Sequence, residues 1–314
     1  MDSETPQSKK VSVVDLGQLG LGRETEPSQE EWQRVAQQLH QAFTDIGCAY
    51  LTNHGVPDDQ VSRLLVSGAD FFSLNRTKKD EFAHNLETNS GYISPQTESI
   101  NDEELNEGFI VKTGEEDLPD KEVPSFRPAL TSLLEYYKAL STRVMKAVAL
   151  SLGKEKEWLV SMHQELGSEN GLTCLRVNHY PAVPATVADG AVRFAAHSDF
   201  GTLTFLFQDD AGGLQVQDRE GVWQDAVPVP GAVLVMVGDF LKFNSDDKFI
   251  AAVHRVVVPK SDEQRTPARN AIIYFVIPDG DLPMAPEGSS STVNRLEVRQ
   301  YLYQQLNNIY IKRE

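Results

Sequence analysis

The 314-residue chain has only two cysteines, Cys48 and Cys174, each in an apolar setting. Two thiols cannot build a disulfide framework or a structural zinc site of the CxxC kind, and such a count fits a reducing, cytoplasmic compartment. Positive charge is also scarce: 29 Lys and Arg stand against 46 Asp and Glu, a formal net charge of −17. Phosphate backbones and anionic membrane surfaces are held by clustered cations, so neither nucleic acid nor membrane is expected as a partner. No eighteen uncharged apolar residues run together, and the start Met1-Asp2-Ser3-Glu4 has no basic region followed by an apolar stretch. No spanning helix or secretory leader is therefore expected. Glycine fingerprints for phosphate binding are missing; Gly212-Gly213 and Gly231 read as turn residues. No GxSxG, HExxH or cysteine-nucleophile setting occurs either.

What is present is the composition of a globular protein, 40 % hydrophobic and 24 % charged. The length suits one folded unit carrying additional helices, as a monomer or weak homo-oligomer. After a polar leader (residues 1–10), residues 11–170 read as a mixed, mainly helical region. Within it, residues 11–16 form a strand. Ser28 and Glu31 stand at capping-box spacing, Trp32, Val35, Leu39, Phe43 and Ile46 recur at helical intervals, and Gly47 marks the stop. A strand over residues 49–52, a turn at 53–57 and a second helical stripe from Val61 to Phe72 follow. Residues 85–127 are polar and punctuated by Gly and Pro; a stretch this long suggests a lid or binding wall, and places Tyr92 and Phe109 as candidate substrate-pocket residues. A third helix spans residues 130–152.

Residues 171–280 change in texture. Short β-rich runs at 173–180, 192–196, 202–208, 214–217, 232–237, 252–258 and 271–277 predict an antiparallel sandwich or barrel. A helical stripe at residues 293–306 lies within the closing segment 281–314. The fold class is α+β with a mainly β core.

One constellation carries chemistry. His197-Ser198-Asp199 closes a β-rich run and His254 lies in another. Residues two apart on a strand point the same way, so His197 and Asp199 can grip one ion while His254 approaches from a neighbouring strand. Two imidazoles and a carboxylate on one octahedral face leave three coordination positions open, the arrangement of non-haem Fe(II) oxygenases.

Gly47-Cys48-Ala49-Tyr50-Leu51-Thr52-Asn53-His54-Gly55-Val56-Pro57, Leu175-Arg176-Val177-Asn178-His179-Tyr180-Pro181, His197-Ser198-Asp199, Gly213-Leu214-Gln215-Val216, Gly238-Asp239 and His254-Arg255-Val256 occur in an order and spacing that resemble the isopenicillin N synthase-like branch of the 2-oxoglutarate/Fe(II) dioxygenases. The resemblance covers nearly the whole chain. It implies a double-stranded β-helix (jelly roll) flanked by helices, with His197, Asp199 and His254 as iron ligands and Asn178 and Tyr180 beside the co-substrate. It further implies Fe(II), 2-oxoglutarate and O2 as cofactors, oxidation of a small organic molecule, and release of succinate and CO2. The family's Arg-x-Ser motif falls on Arg269-Asn270-Ala271, where alanine replaces serine. Loss of one hydroxyl should weaken co-substrate binding about two- to tenfold, whereas the surviving Arg269 supplies the stronger, charge-assisted contact. The departure keeps open a non-haem Fe(II) oxidase that does not use 2-oxoglutarate. A catalytically silent small-molecule binding protein is the non-enzymatic alternative, and the intact triad argues against it.

Leu206 and Phe275 are further candidate pocket residues. His54 and His179 read as structural, His40, His84 and His163 as surface residues, and Asp239 as a turn residue.

Overall fold

The computed structural model describes residues 10–95, 106–183, 186–259, 261, 264, 267–287 and 295–310, so residues 1–9 of the leader and 293–294 of the closing helical stripe lie outside it. Its first half runs β1 (Ser12–Asp15), α1 (Gln29–Asp45), β2 (Cys48–Thr52), α2 (Asp58–Phe72), α3 (Arg76–Asp80), β3 (Gly91–Ile93), β4 (Glu107–Val111) and α4 (Phe126–Ser151). The second half adds β5 (Cys174–Tyr180), β6 (Val192–His197), β7 (Leu203–Gln208), β8 (Leu214–Gln217), β9 (Trp223–Asp225), β10 (Val233–Val237), α5 (Asp239–Asn244), β11 (His254–Val257), β12 (Arg269–Val276) and α6 (Val298–Tyr310).

Local rules account for the helix ends. The Ser28 hydroxyl accepts from the Glu31 amide at 3.2 Å, satisfying one of the orphan donors of the first turn of α1. That helix ends before Gly47, whose φ of +75° and whose closeness to the Ile250 carbonyl both exclude a side chain. The helix expected over 130–152 starts earlier, at Phe126, because Pro128 sits in its first turn, where a missing N–H has no intrahelical partner.

Two sheets face one another. The larger has eight strands in the order β1-β2-β10-β7-β12-β5-β4-β3, the smaller four in the order β6-β11-β8-β9. Apart from the parallel β1–β2 pair, the pairings are antiparallel. Strands of the larger sheet are apolar on both faces, as a sheet covered on both sides requires. On β12, Ile272, Tyr274 and Val276 face the core beneath α1, α2 and α4, while Ala271 and Ile273 face the smaller sheet. Such a sandwich is the jelly-roll core flanked by helices.

Three expectations are corrected. Residues 85–127 are not uniformly irregular: β3 and β4 add two strands to the larger sheet, so the region 11–170 contributes β1–β4 to the core. Tyr92 and Phe109 lie in the apolar core, with Phe109 edge-on to Phe71 at 5.0 Å and Phe126 at 5.3 Å. His163 is buried, not superficial: Nδ1–H donates to the Leu159 carbonyl at 2.7 Å and Nε2 accepts from the Thr202 hydroxyl at 2.8 Å. Among the described residues, no helix is long and apolar enough to cross a membrane.

Candidate active site

The smaller sheet brings the two histidines together. β6 and β11 are antiparallel, His197 and His254 are register partners, and their ring centroids stand 4.2 Å apart. Asp199 lies two residues beyond the end of β6, in the turn rather than on the strand, with its carbonyl accepting from the Asp239 amide at 2.8 Å. Its Oδ1 is 3.7 Å from His197 Nε2 and 4.0 Å from His254 Nε2. The three ligand atoms fall within 4.8 Å of one another, so the spacing expected from sequence is realised by a strand end and a turn.

Each ring is oriented from behind. His197 Nδ1 lies 2.9 Å from the Ala195 carbonyl and His254 Nδ1 2.9 Å from the Ala252 carbonyl, so each Nδ1 carries the proton and each Nε2 keeps a lone pair for a metal. Asp199 Oδ2 is buried and accepts no hydrogen bond. An orphaned carboxylate oxygen is destabilising by about 1–3 kcal/mol or more, and a divalent ion removes that penalty. Two nitrogens and one carboxylate with an unsatisfied oxygen fit Fe(II).

The triad opens into a cavity of about 150 Å³ between the sheets. Asn178, Tyr180, Arg269, Ala271, Leu206 and Phe275 line it, as does Arg176; Leu302 and Tyr310 of α6 close one side. Tyr92 and Phe109 do not reach it. Cys174 does, but burial pushes its thiol up to about 12, so it is a neutral wall residue.

Register places the expected co-substrate residues side by side: Arg269 faces Tyr180, and Ala271 faces Asn178, across the β12–β5 pair. Arg269 is 1 % exposed, stands 4.8 Å from the Tyr180 ring centre, and donates to the Gly212 carbonyl at 3.0 Å and to Gln208 Oε1 at 3.1 Å. Asn178 Nδ2 donates to the Tyr180 hydroxyl at 3.3 Å and Asn178 Oδ1 accepts from Arg176 Nε.

Two features escaped sequence reasoning. Arg193 on β6 is 1 % exposed and lies over the Tyr180 ring at 5.3 Å; burial, then the charge of Arg269, lowers its pKa to about 10. Strand alternation gave no signal for it, because β6 pairs with β11 through register shifts that break the alternation between Val192 and His197. Asp239 is a buried junction, not merely a turn residue: Oδ1 accepts from Ser198 at 2.9 Å and Oδ2 from Tyr301 at 2.8 Å. Burial raises its pKa and those two hydrogen bonds oppose the shift.

Comparison with known proteins agrees with this geometry. Residues 172–278 match the 2OG-Fe(II) oxygenase superfamily, and residues 11–130 match the family described as non-haem dioxygenase in morphine synthesis, N-terminal. A 2-oxoglutarate-dependent dioxygenase of Dothideomycetidae sp. (strain 11243) is 30 % identical over 292 residues, covering 82 % of this chain and 85 % of its own. The chain belongs to the 2-oxoglutarate/Fe(II) oxygenase superfamily. A proline hydroxylase of Petromyces alliaceus is also similar to this oxygenase, 30 % identical over 271 residues and covering 78 % of this chain and 82 % of its own. A full-length Neurospora crassa protein, crystallised in complex with alpha-KG and thymine, superposes on the oxygenase with a TM-score of 0.83 at 26 % identity, covering 98 % of this chain and 99 % of that one. The enzyme uses Fe(II), 2-oxoglutarate and O2.

Proposed function

We propose that this oxygenase hydroxylates a small organic substrate, with His197, Asp199 and His254 holding the iron and Arg269 and Tyr180 receiving the distal carboxylate of 2-oxoglutarate. The observation that carries the reading is the opening of the triad, with the unsatisfied Asp199 Oδ2, into the same cavity as buried Arg269. Bound Fe(II) supplies O2 activation coupled to co-substrate decarboxylation: one oxygen atom enters succinate as CO2 leaves, and the other enters a substrate C–H bond as hydroxyl.

The chain's own contribution is placement. The Ala195 and Ala252 carbonyls fix both imidazole tautomers, and the Asp239 amide holds the turn that carries Asp199. Arg269, tied by Gly212 and Gln208, presents a preorganised cation to an anion that the net charge of −17 would otherwise repel. Ala271 leaves that carboxylate without a serine hydroxyl, while Asn178 orients the Tyr180 hydroxyl beside it. Leu206, Phe275 and α6 form the apolar wall that excludes water from the substrate. Thymine in the Neurospora crassa crystal and the proline hydroxylase name support a small substrate. The two free, buried cysteines support a cytoplasmic setting, and we read the protein as a monomer or weak homo-oligomer without a nucleic-acid partner.

The test follows succinate formation and O2 uptake with Fe(II), 2-oxoglutarate and candidate small molecules. Replacing Asp199 by Ala should abolish both and weaken Mn(II) binding at least tenfold. Iron-dependent O2 uptake that ignores 2-oxoglutarate, or an active Asp199→Ala protein, overturns the reading.

A further inference from the structure

We propose that Arg193 is a second cationic residue of the 2-oxoglutarate site, acting with Arg269 at the Tyr180 end of the cavity to hold the distal carboxylate in place of the hydroxyl that Ala271 lacks. This rests on the reading of the site given above.

Arg193 and Arg269 both approach the Tyr180 ring, at 5.3 and 4.8 Å, and both are 1 % exposed. Neither makes an ion pair with a carboxylate among the described residues. Arg269 has carbonyl and amide partners. Arg193 spends only Nη2, on the Pro181 carbonyl, and its Nε and Nη1 are buried without an acceptor. Burial and then the charge of Arg269 make the Arg193 proton easier to lose, against smaller opposing pulls from Tyr180 and Asp209.

Two neighbouring buried cations are an unfavourable pair unless an anion joins them. A purely packing role over Tyr180 would be met by an apolar side chain without the desolvation penalty. A ligand that brings a carboxylate to this end of the cavity relieves both the repulsion and the missing acceptors. Arg193 packs behind the wall: it lies over Tyr180, which lines the cavity, and belongs to β6, the strand whose Phe194, Ala195 and His197 also line it. It therefore stands on the sheet opposite Arg269, so the carboxylate would be held from both sheets.

The experiment is calorimetric titration of the full chain loaded with Mn(II), using 2-oxoglutarate and 2-oxopentanoate, which has the same carbon chain but no distal carboxylate. Wild type should bind 2-oxoglutarate at least tenfold tighter than 2-oxopentanoate; equal binding would overturn the assignment of the distal-carboxylate pocket itself. Given that preference, Arg193→Gln should weaken 2-oxoglutarate about ten- to hundredfold and leave 2-oxopentanoate within about twofold, the range of a lost charge-assisted contact. Arg193→Lys, which keeps the charge but loses the fork, should show the same selective loss at about three- to tenfold. Adding Ala271→Ser to Arg193→Gln should recover part of the affinity for 2-oxoglutarate alone. Folded variants that bind 2-oxoglutarate as wild type does, or that lose both ligands equally, would overturn the role of Arg193. If Arg193→Gln fails to fold, the Lys variant decides by the same two outcomes.

Discussion

At the scale of single residues, burial decides what a titratable group can do. His163 stays neutral in the fold, its pKa lowered to about 4 by desolvation while Nδ1–H and Nε2 are both engaged. In the unfolded chain its pKa returns to about 6.5. Between those values the unfolded state binds the extra proton, so the contribution to stability is intact above pH 6.5 and is lost as pH falls toward 4. Denaturant titrations at pH 7 and pH 5 should show His163→Gln losing about 2 kcal/mol less than wild type across that interval. Equal losses would mean that the ring is not held neutral. His163 was misjudged because a histidine amid polar neighbours looks superficial; the partner that buries it, Thr202, is 39 residues away in sequence. The candidate metal ligands His197, Asp199 and His254 were legible for the opposite reason. The two histidines fall in β-rich runs that pair in register, and the turn after β6 brings Asp199 to them.

Elements explain both the successes and the omissions. Long amphipathic helices and apolar strands declare themselves, and α1, α2, α4, β5, β7 and β10 lie close to where periodicity puts them. The three residues of β3 and five of β4 are too short to show a period in a polar stretch, so the sequence offers Tyr92 and Phe109 to a pocket wall as readily as to the core they join. Arg269 emerged only through the family pattern, and Arg193 not at all, because an arginine on a short strand reads as solvent-facing until the second sheet covers it. One element links periphery to centre. Tyr301 on α6 donates to Asp239, which also accepts from Ser198, the residue between His197 and Asp199. Tyr301→Phe should therefore lower stability by about 1–3 kcal/mol, as loss of a hydrogen bond to a buried carboxylate does. It should also raise the substrate KM more than the 2-oxoglutarate KM, because α6 lines the cavity. Thermal denaturation and steady-state kinetics check the two halves, and equal changes in both KM values would count against the link.

The whole molecule adds a field. A net charge of −17 opposes the approach of any dianion, and the compensating cations are buried at the site, where salt screens them less. Raising ionic strength from about 0.01 to about 0.15 M should therefore increase kcat/KM for 2-oxoglutarate by up to a fewfold and leave an uncharged substrate unaffected; stopped-flow binding would locate the gain in the association rate. A decrease would mean that local attraction outweighs the overall repulsion. Charge of this kind was legible from composition and its reversal at Arg269 through the family resemblance, whereas the second buried cation, Arg193, needed the fold. In the proposed site the two sheets divide the work: His197 and His254 belong to the smaller, Arg269 and Tyr180 to the larger. An acid that chelates at one and anchors at the other must bridge the gap, so the inter-sheet separation acts as a caliper. Oxaloacetate is one carbon too short and 2-oxoadipate one too long, and both should be measured out by the architecture before any chemistry begins.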